Sequence, residues 1–301
     1  MSPENKNPEN YEAAAIDASL AAAANQLYEF QGRDKFIDAC ERDGLNPNGD
    51  EQSVAGYWSF VARYTEVWAN NERQKGIDSP EVDAVELLGH APSFILDQQS
   101  LDRHESGEQP LSPEAHAATR ARASMFNAGV RSFAQRYPAT SFKGLTLALQ
   151  STAESAFSKK ANAELSGSAR TVVTACALGA RHELAFGQIM NYTGRGFDEA
   201  PTEVDLKGGD FVIKGQNGDF DVDVKSSVET IRRAAAKPGY IRSQRFPDNY
   251  VITPHRTVMM VSLVADRPQA FGDTFFIEES AAEAAAPMLD EMLDYAEQEL
   301  N

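Results

Sequence analysis

The chain of 301 residues contains only two cysteines, Cys40 and Cys176, which are far apart and form no CxxC pair. A zinc site built on cysteine is therefore disfavoured, and such sparse cysteine is typical of a reducing, cytoplasmic compartment. The longest apolar stretches, such as 257–265, have the length of a strand and fall far short of the ~20 residues that a membrane helix requires. The first residues are polar and lack the pattern of a signal peptide. We therefore expect a cytoplasmic protein with no membrane partner.

Basic residues are scarce, with 28 Lys and Arg against 45 Asp and Glu and a formal net charge of -17. Averaged over the chain, this charge argues against nucleic-acid binding, because phosphate contacts need Lys and Arg. The acidic, lysine-poor composition is typical of a high-salt cytoplasm such as that of a halophile. The five histidines show no HxxxH or HNH-like spacing, and there is no GxxxxGK[ST] loop. Histidine-based metal chemistry and an NTP-driven motor are therefore disfavoured.

One segment departs from this acidic average. Between residues 225 and 256 there are seven basic residues against two acidic ones. A basic segment on an acidic protein is a local electrostatic footprint for an anionic partner. The residues that we expect to contact nucleic acid are Arg232, Arg233, Lys237, Arg242 and Arg245.

The first half of the sequence predicts helices. Residues 11–30 are dense in strong helix formers, and 53–73 carry aromatics at helical spacing, which fits a core stripe better than a DNA-stacking surface. The polar stretch 97–116 has no periodicity and predicts a loop or linker. The helical pattern returns from 114 to about 166, with a break at 136–140. We therefore assign 1–150 to a helical N-terminal region and 151–301 to an α/β domain.

The second half changes character after about residue 168. Residues 168–194 predict one long helix that begins after a Gly-Ser turn and ends at Gly194. Short β-rich runs separated by Gly, Asn and Pro follow, including 273–280 as the last of them. The closing helix, 280–300, is expected to turn four apolar residues inward, namely Met288, Leu289, Met292 and Leu293.

The most unusual stretch is "GGDFVIKGQNGDFDVDVKSS", residues 208–227. The turn signal "GQNG" predicts an antiparallel hairpin between 210–213 and 219–227. Alternation then places three aspartates and a lysine on one strand face, although strands are usually depleted in Asp. These four residues are Asp219, Asp221, Asp223 and Lys225. The face is either solvent-exposed or a metal site, in which case Asp210 at the start of the first arm would lie near Asp223 or Lys225.

A further carboxylate comes from the long helix. The residues one and two turns from Glu183 are small or apolar, so Glu183 lies on the helix stripe that should pack on the sheet. A carboxylate there is costly unless a cation or donor satisfies it. It either joins the hairpin carboxylates or pairs with Arg181 or Arg170. Oxygen ligands without His or Cys are those of Mg²⁺ or Mn²⁺. A nearby lysine can orient or deprotonate a metal-bound water, and it can also stabilise charge on phosphate.

A helix with Glu183, then Asp210 opening a strand, then Asp223-Val224-Lys225 in the next strand resembles the PD-(D/E)xK nuclease superfamily. The resemblance covers about 170–227, and its motif is similar to that of archaeal Holliday junction resolvases. One departure is Gly209 in place of the Pro before Asp210. No subfamily signature follows beyond residue 228.

The resemblance implies a restriction-endonuclease-like fold, a mixed sheet flanked by helices, which would follow the helical N-terminal region. It implies that Asp210, Asp223 and the Val224 carbonyl bind Mg²⁺ or Mn²⁺ and that Lys225 positions the attacking water. Glu183 would support the metal or the water network.

The implied activity is metal-dependent hydrolysis of DNA that leaves 5′-phosphate and 3′-hydroxyl ends, in a restriction-type or other DNA-processing endonuclease. The alternatives are a Holliday junction resolvase and a non-catalytic protein that retains the fold to bind DNA or another protein. DNA is the expected partner, and a homodimer is compatible with this interpretation.

Overall fold

A computed structural model describes residues 12–157, 163–200 and 209–301. The chain forms two compact units, Met1–Ala177 and Leu178–Asn301. The boundary expected at residue 150 lies inside the first unit, within a helix. No helix of the described ranges is both long enough and apolar enough to cross a membrane.

The first unit is helical, as the sequence predicts. Its helices are α1 (Ala13–Gln31), α2 (Asp34–Arg42), α3 (Glu51–Gln74), α4 (Pro80–Glu105), α5 (Pro113–Arg136), α6 (Phe142–Ala156) and the beginning of α7 (Ala163–Thr193). Four of them start at a residue whose side-chain oxygen accepts a backbone N–H of the first turn, which satisfies a donor that the helix leaves open. These N-cap residues are Asp50, Ser79, Ser112 and Ser141.

Helix α4 is the centre of this unit and packs against α1, α3, α5 and α6. Its residues Val85, Leu88 and Ile95 are almost completely buried. At Gly89 any Cβ would collide with the Thr65 side chain of α3, so glycine permits the close approach of the two helices. The aromatic stripe of α3 belongs to the core: Trp58 is only 4% exposed.

The second unit contains the end of α7 and a mixed six-stranded sheet. The remaining elements are β1 (Phe197–Glu199), β2 (Phe211–Ile213), β3 (Phe220–Lys225), α8 (Val228–Ala235), β4 (Ile241–Arg242), β5 (Tyr250–Ile252), β6 (Val258–Val261), a 3₁₀ helix (Pro268–Phe271) and α9 (Glu279–Leu300). The strand order is β1-β2-β3-β6-β5-β4. Only β3 and β6 are parallel; all other neighbours are antiparallel.

The sheet is covered on both faces. One face shares a core with the end of α7 and with α9, where Phe186, Val222 and Leu289 are buried together. On the other face, Ile231 and Ala234 of α8 pack with Val251 and Val261. The protein is therefore a mixed α/β protein with a helical unit before the sheet, which is the coarse class that the sequence predicts.

Several sequence predictions of secondary structure are wrong. Residues 97–105 are helical and continue α4. The carboxylate of Asp97 is buried against Arg122 of α5, which donates to it at 2.5 Å. The long helix starts at Ala163 and so includes Gly167, although it ends as predicted before Gly194, whose φ of 75° favours glycine. Met288 is 43% exposed and does not join the inward face of α9.

The run 273–280 forms no strand, although Phe275 and Ile277 alternate inward and are buried. Side chains satisfy its backbone: the Thr274 hydroxyl accepts from the N–H of Phe276, and Gln188 Oε1 accepts from that of Ile277 at 2.9 Å. Because side-chain acceptors replace a ladder, alternation here does not require a neighbouring strand.

Candidate active site at the end of strand β3

The predicted hairpin is confirmed. Strands β2 and β3 pair antiparallel with Phe211 opposite Val222 and Ile213 opposite Phe220. The apolar residues of β3 lie in the main core, so alternation turns Asp221, Asp223 and Lys225 to the other face.

The acidic residues of this hairpin have unequal surroundings. Asp219 lies before the strand, is exposed, and pairs with Lys214 across the turn at 2.9 Å. Asp221 is half-buried, whereas Asp223 is only 6% exposed. The face is therefore solvated at its start and buried near its end, and the buried carboxylate is the one in the D-x-K motif.

Asp210 lies directly before β2 and reaches across to β3. Its backbone N–H donates to the Val222 carbonyl at 2.7 Å, and its Oδ2 accepts from the N–H of Val224 at 2.7 Å. A side chain thus takes the position that a backbone acceptor of β2 would hold if the ladder continued. Since the N–H and C=O of one strand residue point to the same side, the Val224 carbonyl also faces this edge.

Asp223 and Lys225 form a direct ion pair. The Nζ of Lys225 lies 2.5 Å from Oδ1 of Asp223, and the two side chains are 31% and 8% exposed, respectively. Two residues apart on one strand, they share a face. On the opposite edge of β3, the Lys225 carbonyl accepts from the N–H of Ser262 at 2.9 Å, which fixes the backbone that carries the lysine.

The electrostatics join four residues into one cluster. Burial raises the pKa of Asp223, the Glu183 charge raises it further, and Lys225 and a hydrogen bond with Asp210 oppose the rise. Burial acts to lower the pKa of Lys225, but Asp223, Asp210 and Glu183 outweigh it, so the net shift is upward. Lys225 is therefore a cation at neutral pH, suited to orienting water and stabilising negative charge and unsuited to acting as a base.

Glu183 of α7 acts on this cluster. Its position on the small and apolar face of the helix predicts that it faces the sheet. The side chain is half-buried, and its Oε1 would lie 3.7 Å from a Cβ at Gly179, one turn earlier. Of the two arginines considered as partners, Arg170 pairs with Glu154 at 3.0 Å, and Arg181 donates to the carbonyl of Thr274 at 2.8 Å. Glu183 acts on Asp223 and Lys225 through its charge.

The donor set fits a hard divalent cation. Asp210, Asp223 and the Val224 carbonyl offer only oxygen atoms, and three carboxylates against one lysine leave an excess of negative charge. Within the described ranges, no three His, Cys, Asp or Glu side chains are grouped closely enough to form a complete metal site. Two carboxylates, one carbonyl and several waters nevertheless match the coordination that Mg²⁺ favours.

The expected nucleic-acid-binding residues lie in and after α8, and their side chains are exposed. Arg232 and Arg242 share one partner, Asp248, each at 3.2 Å. Arg233 pairs with Glu229 at 3.1 Å, and Arg245 pairs with Glu291.

Lys237 lies near the ring of Tyr240, with its Nζ 6.0 Å from the ring centroid. The ion pairs of the four arginines are exposed, and exposed ion pairs contribute little to stability. The four arginines and Lys237 therefore remain accessible to an anion.

Sequence reasoning did not find Ser262. It lies just after β6, is 3% exposed, and anchors Lys225 through its backbone. The pairing of β3 with β6 crosses α8 and two other strands, so no short-range signal predicted this contact. Only the apolar run 257–265, which has the length of a strand, predicts a strand there.

Comparison of the chain with protein-family models, with curated proteins and with solved structures finds no significant match.

Proposed function

We propose that the unit Leu178–Asn301 is a metal-dependent nuclease of the PD-(D/E)xK type, with the restriction-endonuclease-like fold, that hydrolyses DNA phosphodiester bonds. One observation carries the proposal: at one end of β3, Asp210 accepts the N–H of Val224 at 2.7 Å while Asp223 and Lys225 pair at 2.5 Å. The charge of Glu183 from α7 acts on the same pair. The mixed sheet, with a helix on each face, supports the finer fold assignment.

In this proposal Asp210, Asp223 and the Val224 carbonyl hold Mg²⁺ or Mn²⁺. The bound cation would lower the pKa of a water and polarise the scissile phosphate. Asp210 also holds the N–H of Val224, so the same side chain fixes the strand end that carries the other ligands. Glu183 adds negative charge near Asp223 and thereby strengthens the attraction for a cation.

Lys225 has a positioning and electrostatic role. Its ammonium, held at 2.5 Å by Asp223, can donate to the attacking water and to the phosphate oxygen on which charge develops. Water attacks phosphorus and gives up one proton to solvent, the bond from phosphorus to the 3′ oxygen breaks, and that oxygen takes a proton from solvent. The products are a 5′-phosphate and a 3′-hydroxyl end, as the resemblance implies.

The five basic residues in and after α8 supply the DNA contacts in this proposal. Helix α8 starts at Val228, directly after Lys225 and its two following serines. A DNA strand whose phosphate lies in the active site can therefore continue past Arg232 and Arg233. Because these contacts go to phosphates, they give affinity and salt dependence without sequence selectivity.

The decisive experiment incubates the full chain with supercoiled plasmid and with a four-way junction, in Mg²⁺, Mn²⁺ or EDTA and across a range of salt. We expect cleavage that requires the metal and is lost in Asp223→Ala. The matched control is Asp221→Ala, which removes a half-buried carboxylate from the same strand face and should remain active. A protein that binds DNA but never cleaves it with either metal would contradict the proposal and favour the non-catalytic alternative.

A further inference from the structure

The helical unit contains a cavity that the proposed nuclease does not use. It has a volume of about 320 Å³ and lies among α3, α4 and α5. One wall is apolar, formed by the buried side chains of Leu87, Phe126 and Phe133. Met125 also lines it and is 67% exposed, so the cavity opens to solvent there. This volume lies at the lower end of the range for small-molecule sites.

The cationic side chains around the cavity are already occupied by carboxylates. Arg73 donates to Asp83 at 2.7 Å and to Glu86 at 2.5 Å. Arg136 donates to the other oxygen of Asp83 at 2.7 Å, which also accepts from the Tyr137 hydroxyl at 2.9 Å. An anionic ligand would have to displace these carboxylates. The cavity is therefore poorly suited to an anion.

Glu66 and His90 supply acceptors that remain available in the same lining. Within the described part of the chain, the side chains of Glu66 and His90 make no hydrogen bond or ion pair, although both line the cavity. Burial lowers the pKa of His90, against the opposing charges of Glu86 and Glu66. The imidazole is therefore neutral at neutral pH and offers one ring nitrogen as an acceptor.

The charges of the lining leave one negative charge in excess. Glu66, Asp83 and Glu86 stand against Arg73 and Arg136. A lining that combines apolar side chains, unpaired acceptors and this excess charge is complementary to a cation with an apolar body.

We infer that this cavity is a binding site for a small organic cation with an aromatic or apolar body. Its amine or amidinium group would donate to Glu66 and His90, and its body would pack against Phe126 and Phe133. This inference concerns the helical unit and is independent of the proposed nuclease activity.

The test uses the full chain and probes of matched shape. Benzylamine and benzamidine are the cations, benzyl alcohol and benzamide are neutral analogues, and benzoate is the anion. Binding is measured at millimolar probe concentrations by ligand-observed NMR and by thermal shift. We expect at least one cation to bind about tenfold more tightly than its neutral analogue, as a charge-assisted hydrogen bond provides, and benzoate not to bind.

Variants locate the site. Glu66 is exposed, so Glu66→Gln should fold normally and weaken cation binding by about tenfold. His90→Leu should weaken it as well. The control is Glu29→Gln, which makes the same charge change at an exposed residue of α1 outside the lining. The inference is overturned if neither cation binds, if cations and neutral analogues bind alike, or if Glu66→Gln binds as the wild type does.

Discussion

The carboxylate of Asp210 accepts the backbone N–H of Val224 at 2.7 Å, so one side chain is both a candidate metal ligand and part of the strand framework. The two roles can be separated by substitution. Asparagine retains an oxygen that accepts this hydrogen bond but removes the charge, whereas alanine removes both.

The first prediction uses this difference. Asp210→Asn should unfold at a urea concentration close to that of the wild type without metal, because the amide oxygen can still accept the N–H of Val224. Asp210→Ala leaves the Val224 N–H without its acceptor and should be less stable than Asp210→Asn by about 1–3 kcal/mol. Both should lose cleavage. Urea unfolding in EDTA measures the stabilities; equal values for the two variants would show that the hydrogen bond does not stabilise this edge.

A second prediction concerns Glu183. Binding of Mn²⁺ at about 100 times its dissociation constant should stabilise the wild type by about 2.7 kcal/mol. If the charge of Glu183 belongs to the metal site, removing it should weaken this binding. Glu183→Gln should show a smaller rise in melting temperature at every Mn²⁺ concentration and slower cleavage. Glu283→Gln, at an exposed glutamate of α9, is the control. An unchanged metal response together with a lower melting temperature would make Glu183 a structural residue.

The third prediction separates chemistry from binding. Lys225→Ala should abolish turnover while DNA affinity falls only slightly, because its ammonium is held within the cluster by Asp223. Combined substitution of Arg232 and Arg242 by Gln should weaken binding and reduce the salt slope by less than about 2, because both arginines are already paired with Asp248. Electrophoretic mobility shift at several salt concentrations and single-turnover cleavage measure the two effects. The same kinetic defect in both variants would contradict this division of roles.

A fourth prediction follows from His182, which is 6% exposed and meets the ring of Phe271 edge-on. Burial, together with the charge of Arg181, lowers its pKa to about 4. A depressed pKa means that the unfolded chain takes up the proton first as pH falls. His182 therefore contributes about 3 kcal/mol to the free energy of unfolding above the ordinary histidine pKa, and this contribution is lost as pH falls toward 4.

The corresponding variant is His182→Gln, which cannot titrate. Wild type should lose about 2 kcal/mol more than this variant between about pH 7 and about pH 5. Urea unfolding in EDTA, followed by circular dichroism, measures the difference and keeps metal binding out of the comparison. Parallel pH profiles for the two proteins would show that His182 titrates normally.

The local parts of the candidate site could be predicted from the sequence. The hairpin follows from a turn signal and period-2 alternation, and its antiparallel register brings Asp210 to the end of β3 where Val224 lies. Glu183 is a candidate because a carboxylate on the apolar face of a helix is costly unless a cation or a hydrogen-bond donor satisfies it. These inferences depend on neighbours within about one hairpin or a few helical turns.

The parts that were missed depend on distant partners. Pairing of β3 with β6, which places Ser262 beside Lys225, has no signal in either strand alone. Likewise, the polar stretch 97–116 predicts a loop because it lacks periodicity, yet 97–105 and 113–116 are helical. The partner that accommodates Asp97 there, Arg122, lies on another helix.

The shared carboxylate of Asp248 has a consequence for how this surface responds to its solvent. Arg232 and Arg242 both rest on it, so the protein carries its own counterions for part of its basic surface. A phosphate that arrives here exchanges places with a tethered carboxylate, which cannot diffuse away as a released ion does. The entropy of ion release is therefore reduced at these two arginines. Added salt weakens the pairs of the arginines with Asp248 as well as any pairs with phosphate. These two effects partly cancel, so the DNA affinity of this surface should depend less on salt.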